Sequence, residues 1–199
     1  RVSGRVGGGL TRGLGRRRRR VRRLVVRHSG KIARSWGTLG SVTSLFANHR
    51  ETILASTVAL VEQALTQLGH APSASRLAIA DPDTRHAWQI TAGSAITRVA
   101  VITRSGEYHL RISAVVMTLD DPAARPVDRA ALFTHLLAEN AQLCGAAFAT
   151  DGDRVILVSE RPTLDLDQSE VLDLIERVTR GADDHDDRLV AQFGGRRGG

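Results

Sequence analysis

The chain has 199 residues, of which 42% are hydrophobic and 25% charged, values typical of a soluble globular domain with one core and one appendage. No stretch approaches the ~20 consecutive apolar residues of a membrane span, and no apolar segment follows the arginine run as a signal peptide requires. The single cysteine, Cys144, excludes an internal disulfide and predicts a reducing, cytoplasmic compartment. The use of arginine in place of nearly all lysine indicates a GC-rich bacterial genome.

Charge is divided sharply along the chain. Residues 1–50 hold 14 basic residues and no acidic ones, whereas residues 51–199 hold 14 basic and 21 acidic residues, a net charge of −7. Arginine-rich and glycine-rich segments bury too little apolar area to offset the entropy of ordering. We therefore expect residues 1–48 to form a largely disordered basic arm, residues 49–194 to form the folded domain, and residues 195–199 to form a flexible tail.

The arm has the composition of a polyanion-binding segment. Residues 21–40 place apolar and basic side chains on different sides of a helix, a pattern typical of segments that lie on anionic lipid or nucleic acid. A solvated, partly disordered tail is the alternative, and interrupting glycines favour it. If the arm binds nucleic acid, the absence of interleaved aromatic residues predicts little sequence preference. The candidate polyanion-binding residues are Arg16, Arg17, Arg18, Arg19, Arg20, Arg22 and Arg23.

A helix is predicted over residues 49–69, where apolar residues recur at intervals of four and three. Asn48 and Glu51 have the spacing of a capping box at its start, and Gly69 marks its end. The segment Leu77–Ala80 is a short, weak strand candidate. The apolar stripe of the helix consists of Leu54, Val58, Val61, Leu65 and Leu68.

Three β-prone runs follow, at Trp88–Ala92, Ile96–Arg104 and Tyr108–Leu119, and their short connections predict an antiparallel meander. Alternation in the third run places an apolar set on one face and a mixed set on the other, so the mixed face is a candidate partner surface. Trp88 is interpreted as a core residue, with a partner-facing aromatic as the alternative. The candidate partner-binding residues are Trp88, Arg111, Val115 and Met117.

The segment from Asp128 to Arg180 reads as helix, hairpin, helix. A leucine-rich stripe includes Leu137 and Cys144, both predicted to be buried, and Gly145 is predicted to cap the helix. An Asp-Gly turn at Gly152 joins two β-prone runs, which predicts a hairpin. Asp167 followed three residues later by Glu170 predicts a capping box for the last helix.

The last helix is predicted to run from about Gln168 to about Phe193 and to break or bend at Gly181 and at residues 183–187. The run Asp-Asp-His-Asp-Asp at 183–187 resembles a metal site. On a helix, however, only residues three or four apart converge, so a solvated face is the simpler interpretation. The sequence therefore predicts no metal, no cofactor and no catalytic residue.

The resulting order is α-β-β-β-α-β-β-α, which predicts an α+β, two-layer domain with an antiparallel sheet of about five strands. In this order, and in the stretches Leu136–Asn140, Phe148–Leu157 and the helix capped by Asp167, residues 50–194 resemble the YbjN family and the type III secretion chaperones of the CesT kind. The basic arm has no counterpart in that plan.

The resemblance implies a non-enzymatic peptide-binding or protein-binding chaperone-like protein, or a regulatory adaptor of the YbjN type, with an unidentified client. The alternative is a protein that associates with nucleic acid or an anionic membrane through its arm. A homodimer is also expected, because a small sheet leaves exposed edges and the mixed face around Val115 suits an isologous contact.

Overall fold

The computed structural model describes the backbone of residues 40–198 and the side chains of residues 48–198. The predicted disorder of the arm, most of its amphipathic segment and its seven candidate arginines lie outside these residues. The helices are α1 (Gly40–Gln67), α2 (Pro72–Ser75), α3 (Arg129–Asn140) and α4 (Gln168–Phe193). The strands are β1 (Thr84–Ala92), β2 (Ala95–Arg104), β3 (Glu107–Thr118), β4 (Ala147–Asp151), β5 (Arg154–Pro162) and β6 (Arg196–Arg197). The predicted α+β order is confirmed, with the short α2 and β6 added.

The strands form one antiparallel sheet in the order β1-β2-β3-β5-β4. β3 lies at its centre and pairs with β2 from Glu107 to Ala114 and with β5 from His109 to Thr118. The sixth strand, β6, pairs with the last residues of β3. The strand candidate Leu77–Ala80 does not form a strand, although Arg76 makes an isolated bridge to Trp88.

One face of the sheet packs against α1 and α4 to form the core. Alternate residues of the strands point to this face because side chains of a strand alternate in direction. Burial of this face removes large apolar side chains from water, the dominant favourable contribution to folding. The fully buried side chains include Val61 and Leu65 of α1, Val99, Val101, Leu110 and Ile112 of the sheet, and Ile175 and Leu189 of α4.

A register shift in β3 moves Met117 to a different face from the one that simple alternation predicts. The predicted apolar set holds through Leu110, Ile112, Ala114 and Val116, which are all buried. The β3–β5 pairing shifts between Val115 and Met117, as at a β-bulge. A bulge adds one residue and reverses the alternation beyond it. Met117 is therefore fully buried and does not share the face of Val115.

Two helix boundaries differ from the predictions. α1 begins at Gly40, so the predicted capping box at Asn48 is wrong and the boundary expected at residues 48/49 falls inside a helix. α3 ends at Asn140, which leaves Cys144 in the following loop, where it is exposed. The predicted buried thiol and the cap at Gly145 are therefore wrong, and Leu137, also predicted to be buried, is 70% exposed.

The last helix, α4, is continuous from Gln168 to Phe193, so the predicted break at Gly181 is wrong. A side chain at Gly181 would meet Leu157 of β5, which explains the glycine as a close-packing position. The capping box of Asp167 and Glu170 is confirmed. None of the helices described for this chain combines the length and the apolar character of a membrane span.

The predicted flexible tail is ordered through Gly198, because its backbone pairs with the overhanging end of β3. The strand β2 pairs with β3 only as far as Ala114, and β6 takes the adjoining positions at Met117 and Thr118. Arg197 also binds Asp186 of α4 through Nε at 3.2 Å. These contacts fix residues 196–198 against the sheet.

Candidate functional site

The face of the sheet that points away from the core carries a groove of about 1020 Å³. Its floor comes from the alternate residues of β2, β3 and β5 that the core does not use. Ala100 and Ile156 are almost fully buried there, at 4% and 5% exposure, so the floor is closely packed. The apolar lining consists of Leu77, Ile96, Ala100, Ile102, Val115 and Ile156.

Charged residues of both signs line the same groove. Five arginines and three aspartates contribute, and Glu160 and Asp121 bind three of the arginines, so positive and negative charges at the groove balance. The arginines are Arg98, Arg104, Arg111, Arg154 and Arg196, and the aspartates are Asp81, Asp83 and Asp151. An apolar floor with charged side chains of both signs suits an extended segment that carries apolar and polar side chains.

Two of these arginines share one carboxylate, that of Glu160 on β5. Arg104 Nε lies 2.6 Å from Glu160 Oε1, and Arg111 Nη1 lies 2.7 Å from Oε2. His109 Nδ1 is 3.6 Å from the same carboxylate. Burial raises the pKa of Glu160, but hydrogen bonds and charges from Arg111 and Arg104 outweigh it, so the pKa is lowered overall. Glu160 therefore stays ionised and holds both guanidinium groups over the sheet.

Arg98 and Arg154 differ from these two because neither has a carboxylate within 4.0 Å among the described residues. Arg98 projects from β2 opposite Ser113, and Arg154 begins β5 opposite Asp151. By contrast, the fifth groove arginine, Arg196, binds Asp121 at 2.8 Å. Arg98 and Arg154 are thus the two groove arginines without an ion pair among the described residues, and Asp81, Asp83 and Asp151 are likewise unpaired there.

Hydrogen bonds from outside the sheet occupy part of both of its edges. At the β4 edge, the Asn140 side chain donates to the Phe148 carbonyl at 3.1 Å and accepts from the Phe148 amide at 2.6 Å. At the β1 edge, the Leu77 amide donates to the Ala87 carbonyl at 2.9 Å. Unpaired edges template the addition of another strand. Filling these positions leaves the groove face as the more accessible surface for an extended partner.

The acidic run at 183–187 serves the fold. Asp183 accepts hydrogen bonds from the Ser94 amide and hydroxyl, which lower the pKa of its carboxyl. Asp186 is buried at 3% exposure and binds Arg197. Within the part of the chain that the structure describes, no group of three or more His, Cys, Asp or Glu residues is placed to hold a metal ion.

Of the four candidate partner-binding residues, the structure brings two to the groove. Arg111 and Val115 line it, and both are half-buried. Trp88 is fully buried in the core, as the simpler interpretation of the sequence had it, so the alternative of a partner-facing ring is wrong. Met117 is displaced to the core by the bulge. Partner binding by Arg111 and Val115 stays a prediction.

The sequence interpretation missed Arg98, Arg154, Ile156 and Asn140. Arg98 carries a signal, because it stands between Thr97 and Val99 in a run where its neighbours alternate to the core. Arg154 and Ile156 had the same signal on β5. Asn140 had none beyond its place at a helix end, since its bonding partner Phe148 is eight residues away.

Comparison with known proteins gives one family match. A family model, TY-Chap1, described as "T3SS (YopN, CesT) and YbjN peptide-binding chaperone 1", matches residues 55–198. No curated protein matches the sequence significantly.

Two of the solved structures that resemble the chain are complexes. The ExsC–ExsE complex has 12% identity and a TM-score of 0.47, and the match covers 68% of this chain and 94% of that one. The ExoU–SpcU complex of the type III secretion system of Pseudomonas aeruginosa has 15% identity and a TM-score of 0.39, with 66% and 96% covered. Similarity of this degree says nothing about what this chain binds.

The family model spans well over half of the chain and takes in all of the sheet, α3 and α4. The fold and the family match agree with each other, and the chain belongs to the family of type III secretion and YbjN peptide-binding chaperones.

Proposed function

We propose that this protein is a chaperone-like adaptor that holds an extended segment of a client protein in the groove of its open sheet face. The observation that carries the proposal is the groove itself, with a packed apolar floor and arginines along it. The family description supports peptide binding, and it also supports a binding role in place of catalysis. A regulatory role of the YbjN type would act through the same client.

The groove explains how one surface accepts an extended chain without a fixed sequence. Apolar side chains of a client lose contact with water over Ile102, Val115 and Ile156, each Å² of apolar surface contributing roughly 25 cal/mol. Because Asn140 and the Leu77 amide already bond parts of the two sheet edges, binding of a client on the face is favoured over the strand addition that many peptide-binding sheets use.

The test is an array of overlapping peptides probed with the full chain and two matched variants. Ile102→Gln places an amide on the groove floor, whereas Leu137→Gln makes the same change on the exposed side of α3. We expect Ile102→Gln to weaken the signals broadly and Leu137→Gln to leave them unchanged. Equal signals for all three proteins would remove the groove from the binding site.

We also propose a homodimer that forms through the face around Val115. Val115 lies on β3, the central strand of the sheet, so the contact would join two sheet faces and not two sheet edges. A second copy and a client would occupy the same groove, so a bound client dissociates the dimer. Light scattering of the full chain with and without a binding peptide tests this competition.

For the arm we propose a separate interaction with nucleic acid or an anionic membrane, supported by the 13 basic residues of residues 1–48, which include no acidic residue. Filter binding to DNA, and sedimentation with vesicles containing phosphatidylserine, at two salt concentrations distinguish the two partners. Retention that does not change when residues 1–35 are removed would contradict both. We place the protein in the cytoplasm, as its single cysteine suggests.

A further inference from the structure

Building on the proposed function, we infer that residues 195–198 form a strap that closes one end of the groove, and that a client segment displaces this strap to occupy the whole floor. The strap lies beside the last residues of β3, which β2 leaves uncovered. Arg196 and Gly198 of the strap both line the groove, so the strap and a client compete for the same space.

The strap covers the floor of the groove at Val115. The Gly198 amide donates to the Val116 carbonyl at 3.1 Å, next to the two pairs that β6 makes with the end of β3. A Cβ at Gly198 would lie 2.4 Å from the Val115 carbonyl oxygen and 2.6 Å from Val115 Cγ1. The glycine therefore packs directly against Val115, and a residue with a side chain fits there only if the strap moves.

The strap is attached more weakly than the other walls of the groove. The sequence Gly-Gly-Arg-Arg-Gly at 194–198 has no apolar side chain, so burial of apolar surface does not hold it. Arg196 is held by Asp121, and its side chain is 59% exposed. Arg197 is held by two neighbouring aspartates of α4, and its side chain is 43% exposed. Ion pairs that face water contribute little to stability, so the strap can open while the core of the sheet stays folded.

Opening the strap leaves its buried anchor with other partners. Asp186, at 3% exposure, keeps the Ser94 hydroxyl, which donates to it at 2.5 Å, and the amide of Asp187. The backbone groups at the end of β3 lose their partners when the strap opens, and buried backbone groups need new ones. An extended client supplies such groups while its side chains lie on Val115.

A second copy of the chain fits the uncovered floor less well than an extended client. The backbone groups of the sheet face of a second copy are already paired between its own strands, so they are not free to replace those of the strap. A contact between two such faces also requires two straps to open, whereas a client requires one.

Fluorescence anisotropy with the full chain and a labelled peptide of three Ser-Leu-Ser-Gln repeats measures the competition. In an extended chain this peptide presents leucine and glutamine on one face, and its repeats carry no charge for the arm to attract. Gly198→Ala keeps every charge of the protein and places a methyl group against the Val115 backbone, so it should open the strap. Removal of residues 196–199 opens the same end of the groove by deletion. The control Gly69→Ala adds a methyl group in open space, at a residue that does not line the groove.

We expect both strap variants to bind the peptide about tenfold more tightly than the wild type, and Gly69→Ala to bind it as the wild type does. A strap that is closed about ten times as often as it is open lowers the apparent affinity by that factor. Circular dichroism of each protein checks that the fold is intact. Equal affinity for all four proteins overturns the inference while the proposed function stands. Failure of this peptide and of the peptide array to bind any of the proteins defeats the proposed function and the inference with it.

Hydrogen–deuterium exchange of the wild-type chain gives an independent readout. The bond from the Gly198 amide to Val116 protects that amide in the free protein. Excess peptide should make the fragment of residues 194–199 exchange faster, because the peptide holds the strap open. Slower exchange there would show that the strap clamps the client, which overturns the inference. A larger mass of Gly198→Ala in light scattering, without tighter peptide binding, would assign the uncovered floor to a second copy.

Discussion

Removal of the Asn140 side chain tests whether a single amide protects the β4 edge. Asn140→Ala eliminates the two hydrogen bonds to the Phe148 backbone, at 2.6 and 3.1 Å. Both are partly buried, and each such bond contributes about 1 kcal/mol net. We therefore expect the free energy of unfolding to fall by about 2 kcal/mol. For a domain of this size, about 3 °C of Tm accompanies each kcal/mol, so Tm should fall by about 6 °C.

Urea unfolding followed by circular dichroism measures the change, with Gln142→Ala as the control. Gln142 is an exposed amide just beyond the same helix and makes no side-chain hydrogen bond among the described residues. The freed edge should also raise self-association at micromolar concentration in light scattering. If Asn140→Ala unfolds at the same urea concentration as Gln142→Ala, the edge contact contributes nothing and the reasoning fails.

Three further changes test the open face and the turn beside it. Val115→Asp places a charge on the proposed dimer surface, so light scattering should show a lower mass while circular dichroism keeps the wild-type fold; loss of the fold would instead place Val115 in the core. Glu160→Gln should reduce the loss of stability at acid pH. The lowered pKa of Glu160 contributes stability above the ordinary pKa of 4.5, and this contribution is lost as the pH falls through the folded-state pKa. A difference in Tm between pH 3 and pH 7 equal to that of the wild type would contradict this. Gly93→Ala should lower the free energy of unfolding in urea by about 2–3 kcal/mol, because the residue has φ +60 and its new side chain would clash with Asp183. The control Gly106→Ala, at φ +86 in open space, should lower it by only about 1 kcal/mol. Equal losses for the two variants would show that the clash with Asp183 is relieved.

The sequence predicted the order of the elements because periodicity and turn chemistry are local. The hairpin at Gly152 and the capping box at Asp167 depend on residues within a few positions of each other, and both are present. The end of α3 was wrong for the opposite reason. Leu143 and Cys144 continue the helical spacing, but the chain leaves the helix at Asn140, where the amide binds Phe148.

The groove could be foreseen only in part, because its composition depends on pairing between distant strands. Arg111 was recognisable as a residue of the mixed face of β3. Its partner Glu160 is 49 residues further along the chain, and no local pattern joins them. The bulge beyond Val115 likewise depends on how β3 pairs with β5, so the burial of Met117 could not be read from alternation alone.

The amide of Asn140 has a consequence for stoichiometry. A strand added to the edge of a sheet presents a new edge of its own, so edge addition has no natural end and grades into fibre growth. A groove on a face is finite, and filling it leaves nothing for the next segment to extend. This protein closes an edge position with its own Asn140 side chain and offers a groove on a face, so its binding can be saturated. Its capacity is then set by the number of grooves and not by the supply of unfolded chain.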